Sequence, residues 1–343
     1  MDIAFSHNLH YDDTRQELPL HLVQEFVDFS DSFLDIYQDI THLMRQYESS
    51  HPWITFQADF RTLPYSTWIR LGEAQSKCEH LATVPLLPDI AEQLHQLYLA
   101  KGVVATTAIE GNTLTEEEVL RRLQGKLFLP PSKEYLGQEV DNVIEACNQI
   151  SQDVLHSRAL TLSPAEIRGY NQLVLRSLPA GEDVRPGQVR THSVVVGSYR
   201  GAPAEDCDYL LERFCQWLND EIKFPGNDRI VAGILKAIVA HVYFAWIHPF
   251  GDGNGRTARL IEFKILLASG VPMAAAHLLS NHYNLTRQEY YRRLALTSKR
   301  GGSLDDFIWY ALQGFVDGLK EQLGYIRQQQ IIVLARFHLQ PVP

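Results

Sequence analysis

The chain has 343 residues, 45% hydrophobic and 10% aromatic, enough apolar material for a sizeable core. At about 100–200 residues per domain, that length predicts two domains, or one domain with a substantial attachment. Thirty-one Lys and Arg against 41 Asp and Glu give a net charge of −10, which argues against nucleic acid held by a general electrostatic footprint and leaves only a local basic patch open. The opening MDIAFSHNLHYDD lacks a basic stretch followed by an apolar one, so no secretory leader is read. The most apolar run, Val231 to Ile247, carries Lys236 and His241 and falls short of the ~20 residues of a bilayer span, so no membrane association is expected. Cys78, Cys147, Cys207 and Cys215 show no C-x-x-C spacing. They read as reduced, buried thiols of a cytoplasmic protein, not as a disulfide framework or zinc site.

In the first 100 residues Pro52, Pro64, Pro85 and Pro88 punctuate short helical pieces, which predicts an N-terminal helical attachment. Asp89 is read as the cap of a helix carrying Ile90, Leu94 and Leu97 on one face and running towards residue 101. Three capping boxes, Thr115-x-x-Glu118, Ser163-Pro164-x-Glu166 and Thr286-x-x-Glu289, predict helices beginning near 116, 164 and 287. Between helices, the stretch Arg190 to Tyr199 holds the β-branched Val194, Val195 and Val196, with Gly197, Gly201 and Pro203 as turn formers. A short hairpin or extended flap is predicted there. Helix returns at about Asp206 and continues through Leu210, Phe214 and Trp217. Apolar helices are predicted from 230 to 247 and from Leu260 to Leu267. From about Ser303, one or two amphipathic helices close the chain at Gln340-Pro341-Val342-Pro343. No strand–helix alternation is present, and the reading is mainly α.

One stretch carries chemistry: His248-Pro249-Phe250-Gly251-Asp252-Gly253-Asn254-Gly255-Arg256-Thr257-Ala258-Arg259. Pro249 must end the incoming helix. Gly251, Gly253 and Gly255 permit backbone shapes that strain other residues. The predicted result is a tight loop whose N–H groups converge at a helix N-terminus, an anion site. Arg256 and Arg259 project from one side of the outgoing helix as bidentate phosphate binders, which suits a di- or triphosphate. Asp252 is the hard oxygen ligand that a phosphate-bound Mg²⁺ would use. His248 titrates near neutral pH, and its place at a helix end is expected to raise its pKa. An anion nest, two arginines, a metal carboxylate and a base describe nucleotide transfer to a nucleophile. The glycines follow a helix and not a strand, so this is no dinucleotide fingerprint, and no phosphate-binding P-loop occurs in the chain.

His248 to Arg259 resembles the H-x-F-x-[DE]-G-N-G-R-x-x-R signature of the Fic (Fic/Doc) family, matched at every fixed position. The resemblance runs from about Ala100 to Ser298. It implies an all-α, Fic-type core with a short β-hairpin flap and an N-terminal helical attachment. The chain then divides into an N-terminal region 1–99, a core 100–300 and C-terminal helices 301–343. It also implies protein AMPylation: AMP passes from ATP to a Ser, Thr or Tyr hydroxyl of a target protein, and pyrophosphate leaves.

By that resemblance His248 is the general base and Asp252 the Mg²⁺ ligand. Asn254 with the backbone of Gly253 and Gly255 cradles the α-phosphate, Arg256 and Arg259 bind the β- and γ-phosphates, and a buried Phe250 orients the loop. Glycine at Gly255, where some relatives carry Lys and resemble kinases, favours AMP transfer. Upstream, Thr106-Thr107-Ala108-Ile109-Glu110-Gly111-Asn112 is similar to the family's [ST]-x-x-x-E-[GN] inhibitory helix, placed at about 103–110, with Glu110 expected to pair with Arg259. Tyr290 and Tyr291 fall where the family has aromatics near the base, and Ser298 near a position where relatives often carry Asn. The flap valines Val194, Val195 and Val196 would dock an extended target segment. Gln328-Gln329-Gln330-Ile331-Ile332 resembles the start of a winged-helix domain that Pro343 comes too soon to complete. Self-modification and a homodimer stay open, as do two other readings of the site: AMP removal with Glu110 aligning a water, and a non-catalytic nucleotide-binding regulator.

Overall fold

Proline, hydroxyl caps and apolar spacing divide the chain into helices. The structure, a computed structural model, describes residues 45–157, 161–197, 199–224, 226, 228–299 and 303–338. The expectations for residues 1–44 and for Gln340 to Pro343 lie outside the described residues. In chain order the helices are α1 (Gln46–Ser50), α2 (Tyr65–Thr83), α3 (Pro88–Ala108), α4 (Glu116–Leu123), α5 (Glu134–Ser157) and α6 (Pro164–Val174). The hairpin β1 (Val195–Val196) and β2 (Tyr199–Arg200) follows. Then come α7 (Cys207–Gln216), α8 (Arg229–Ile247), α9 (Asn254–Ala268), α10 (Leu278–Leu285), α11 (Arg287–Thr297) and α12 (Leu304–His338). A π-helical turn, Trp217–Glu221, extends α7.

Two of the three capping boxes form. The Glu118 N–H donates to the Thr115 hydroxyl at 3.2 Å, and the Thr115 N–H to the Glu118 carboxylate at 2.8 Å. Ser163 and Glu166 repeat the arrangement at the start of α6. The third does not form. Thr286 lies between α10 and α11, and its hydroxyl donates back to the His282 carbonyl at 2.7 Å, a bond that competes with capping. Glu289 is held instead by Arg292 and Arg293 at 2.6 Å. Nor does Asp89 cap α3. Pro88 takes the first helical position, Leu87 is the cap, and Asp89 falls in the first turn, where the helix dipole favours it. The helix then runs unbroken to Ala108, so the boundary drawn at 99/100 cuts through α3. Among the described residues of the C-terminal region, Leu304–His338 form one long helix, α12.

α8 is long and apolar enough to span a bilayer, yet 78% of its apolar window is buried. It is the central helix, and α9 is its main neighbour. Trp217 and Trp246 flank Tyr243 with ring centroids 4.5 and 4.8 Å away. Phe56, Phe60 and Leu63 from the N-terminal segment join the same buried cluster, so residues 45–99 pack as part of the core. All four cysteines are buried and free. What this packing does for function is fix the C-terminus of α8 against the N-terminus of α9.

Candidate active site

Pro249 stops α8, and the stop leaves His248 in the left-handed region at φ 50°. Its N–H donates to the Phe244 carbonyl at 2.9 Å, and the Arg190 Nε donates to its carbonyl at 2.8 Å. Phe250 is buried as expected. The Asn254 side chain turns inward: it accepts the Phe250 N–H at 3.0 Å and donates to the Phe250 carbonyl at 2.7 Å. Asn254 therefore braces the loop, and the expectation that its side chain cradles phosphate is corrected. At the start of α9 the first N–H groups lack intrahelical acceptors.

The three glycines serve different needs. Gly253 caps α9 at φ 75°, the left-handed shape glycine adopts freely. Gly251 and Gly255 are not in that region. At Gly255 a Cβ would press on the Glu110 carboxylate, so glycine there lets that side chain come up against the start of α9.

Glu110 reaches the site from the turn just after α3, whose last helical residue is Ala108. Its Oε1 accepts from the Arg259 Nη2 at 2.5 Å, and the same nitrogen donates to the Thr106 carbonyl at 2.9 Å. The Arg259 side chain is 1% exposed. Burial pushes the Glu110 carboxyl up, but the Arg259 charge and hydrogen bond, with the Arg256 charge behind them, together leave the pKa below the ordinary value.

Arg256 is engaged as well, by a residue that sequence reading missed. Its Nη1 donates to the Glu139 Oε1 of α5 at 2.8 Å and its Nη2 to the Asp252 Oδ1 at 3.3 Å. Asn112, in the motif that contains Glu110, donates to the other Glu139 oxygen at 2.8 Å. Burial raises the Glu139 pKa despite the Arg256 charge. A lone glutamate in a helix carries no local signal of such a role. Asn171 of α6 was also missed; it donates to the Asp252 carbonyl at 2.9 Å and holds the loop from below.

The Asp252 side chain is 50% exposed, and its bonds from the Gly253 N–H and from Arg256 both go to Oδ1. No cluster of three or more His, Cys, Asp or Glu able to hold a metal occurs among the described residues. One outward carboxylate oxygen fits Mg²⁺ carried in by phosphates, which uses one or two protein carboxylates.

His248 departs from expectation. Burial, with the Arg190 guanidinium beside it, pushes its pKa down to about 4. The helix-end effect that was to raise it is too small, ~0.3–1 kcal/mol, to oppose that desolvation.

Tyr290 is buried, its hydroxyl 2.9 Å from the His241 Nε2 and its ring stacked on Tyr283 at 4.8 Å. It packs the core and offers no face to a base, which corrects that assignment. Tyr291 is 40% exposed and its hydroxyl donates to the Ile109 carbonyl at 3.4 Å, beside Glu110. Ser298 follows the last residue of α11, and its hydroxyl donates back to the Ala295 carbonyl.

The flap is a true hairpin, with Val195 opposite Arg200 and Val196 opposite Tyr199. Val195 and Val196 are exposed, whereas Val194 is partly buried and its carbonyl accepts the Gly201 N–H. A bridge between Val189 and Phe250 ties the flap stem to the active-site loop.

Residues 161–266, which contain α6, the flap, α8 and the whole loop, match the model of the Fic/DOC family. The chain carries a Fic/DOC family domain. It is 28% identical over 264 residues to "Protein adenylyltransferase fic-1" of Caenorhabditis briggsae, covering 74% of this chain and 48% of that protein. The chain thus spans about half the length of the curated relatives it matches. Its fold is similar to that of Fic-1 (residues 134–508) of Caenorhabditis elegans, with TM-score 0.61, 24% identity, and 77% and 73% of the two chains covered. A Fic family protein of Desulfovibrio desulfuricans G20 aligns with TM-score 0.60 at 24% identity, over 77% and 76%. Glu110 lies N-terminal to the matched Fic segment and reaches it only through the fold.

Proposed function

We propose that this Fic domain is a protein adenylyltransferase that moves AMP from ATP to a Ser, Thr or Tyr hydroxyl of a target protein, and that Glu110 holds it in an inhibited state. The observation that carries the reading is the loop itself: a histidine base, a helix N-terminus and Arg259 joined in twelve residues, with Glu110 bonded to the arginine.

The α-phosphate of ATP sits at the N-terminus of α9, where orphan N–H groups and the helix dipole favour an anion. The target oxygen attacks the α-phosphorus, His248 takes the hydroxyl proton, and the bond to pyrophosphate breaks. A pKa of about 4 keeps the imidazole neutral and able to accept that proton across physiological pH. Arg256 and Arg259 hold the departing phosphates. Asp252 would hold Mg²⁺, which supplies neutralisation of phosphate charge.

While Glu110 occupies Arg259, a carboxylate stands where the γ-phosphate belongs. The exposed Val195 and Val196 support a target segment pairing alongside the flap, with backbone hydrogen bonds setting its register. Four free, buried cysteines support a reducing compartment such as the cytoplasm.

Incubating the chain with α-labelled ATP and Mg²⁺, alone and with cell lysate, tests the reading. Covalent label on the chain or a lysate protein, lost in His248→Ala, is expected. No transfer from a folded Glu110→Gly variant in either setting would overturn it.

A further inference from the structure

Arg190 is 4% exposed, and among the described residues its guanidinium meets only backbone carbonyls and no carboxylate. Nε donates to the His248 carbonyl at 2.8 Å, Nη1 to the His192 carbonyl at 2.7 Å and Nη2 to the Ala202 carbonyl at 2.5 Å. Nη2 also reaches the Ile247 carbonyl at 3.5 Å. The residue's own N–H donates to the Pro249 carbonyl at 3.0 Å.

These acceptors belong to two structures. Ile247 and His248 offer the last carbonyls of α8, the negative end of its dipole, which lowers the cost of burying a cation. His192 and Ala202 bracket the hairpin on either side. One planar fork therefore ties both stems of the flap to the residue that bears the base. Only a guanidinium presents donors in that fixed pattern; an ammonium has a single nitrogen to share. The close approach is also written into Gly201, where a Cβ would lie 2.9 Å from the Arg190 Nη2 and 3.0 Å from the His248 Cβ.

We propose that Arg190 is a positioning residue that sets the flap register relative to the backbone of His248, so that a hydroxyl carried along the flap arrives at the imidazole. The proposal rests on the transfer reading above. The flap has two further side-chain supports. The His51 Nε2 donates to the Arg200 carbonyl at 2.9 Å, and the Tyr199 hydroxyl to the Trp246 carbonyl at 2.7 Å. Loss of Arg190 should therefore disturb alignment before it disturbs folding.

The test places Arg190→Gln and Arg190→Lys separately in the full chain carrying Glu110→Gly. Self-labelling by α-labelled ATP, affinity for a non-hydrolysable ATP analogue, amide hydrogen exchange and the His248 ring resonances are measured. In both variants labelling should fall by roughly 10–100-fold, the loss typical of a misplacement of about 1 Å, with analogue affinity within about twofold. Exchange should accelerate over 190–202 and not in α2 or α12. The His248 ring signals should shift in Arg190→Gln. Gly201→Ala, which pushes on the same contact from the other side, should move labelling and exchange in the same direction and serves if Arg190→Gln does not fold.

Unchanged exchange over 190–202 in the folded variants would overturn the proposal. So would full rescue of labelling by lysine, or acceleration spread evenly over the whole chain. Should Glu110→Gly itself fail to label, the transfer reading falls, and exchange with the ring resonances still decides whether Arg190 joins flap and base.

Discussion

The Glu110 carboxylate lies 2.5 Å from a guanidinium nitrogen of Arg259, although 149 positions separate the two residues in sequence. The turn after α3 and the second arginine of α9 meet because Gly255 leaves no side chain between them. A hydrogen bond between charged groups contributes ~1.5–3 kcal/mol. Glu110→Gly should therefore raise self-labelling by roughly 10–100-fold. Adding Arg259→Ala should abolish the gain, because the freed arginine is the phosphate ligand. Label incorporation over time checks both. A flat or reduced rate in folded Glu110→Gly would make Glu110 an ordinary helix-end carboxylate.

Glu139 should prove a structural partner of Arg256. The pair is nearly buried, with side chains 11% and 7% exposed. Glu139→Gln keeps the shape and removes the charge facing the guanidinium. A cost of about 1–3 kcal/mol in unfolding free energy is expected from the weakened bond, read by urea denaturation at pH 7. Stability equal to wild type would show that Asp252 alone holds Arg256.

How much of this was legible in the sequence follows from where the signals reside. His248 to Arg259 was readable because loop chemistry is local: a stop at Pro249, a left-handed position at Gly253 and two arginines one turn apart. The caps at Thr115 and Ser163 were readable for the same reason. Thr286 misled because its hydroxyl had a nearer acceptor in the helix before it. Tyr290 misled because spacing does not say which side of a helix is buried. Glu139, Asn171 and Arg190 left no trace, since each meets the loop from His248 to Arg259 across 58 or more positions. His248 shows the limit from another side. Its helix-end position is legible, whereas the desolvation that dominates its pKa is set by the folded core.

The flap should matter to protein transfer more than to nucleotide binding. Val195→Pro removes a backbone donor from β1 and locks φ near −65°. Transfer to lysate proteins should drop several-fold while affinity for an ATP analogue stays within about twofold. Equal losses in both would mean that the hairpin only packs on the core.

His248 yields a pH prediction in two parts. Because its folded pKa is lowered from 6.5 to about 4, the imidazole is neutral throughout pH 6–8. The transfer rate should then show no rise attributable to His248 in that range, and His248→Ala should cost ~10²–10⁴-fold at each pH. For stability the sign is set by proton uptake. The unfolded chain binds a proton near pH 6.5 that the folded chain refuses until about pH 4, so the contribution is complete above 6.5 and is lost as pH falls through that window. One pKa unit corresponds to ~1.36 kcal/mol, so wild type should lose ~2 kcal/mol more than His248→Gln between pH 7 and pH 5. Urea denaturation of both proteins at the two pH values measures the difference. Equal losses would place the His248 pKa near its ordinary value and restore a rate that climbs from pH 6 to 8.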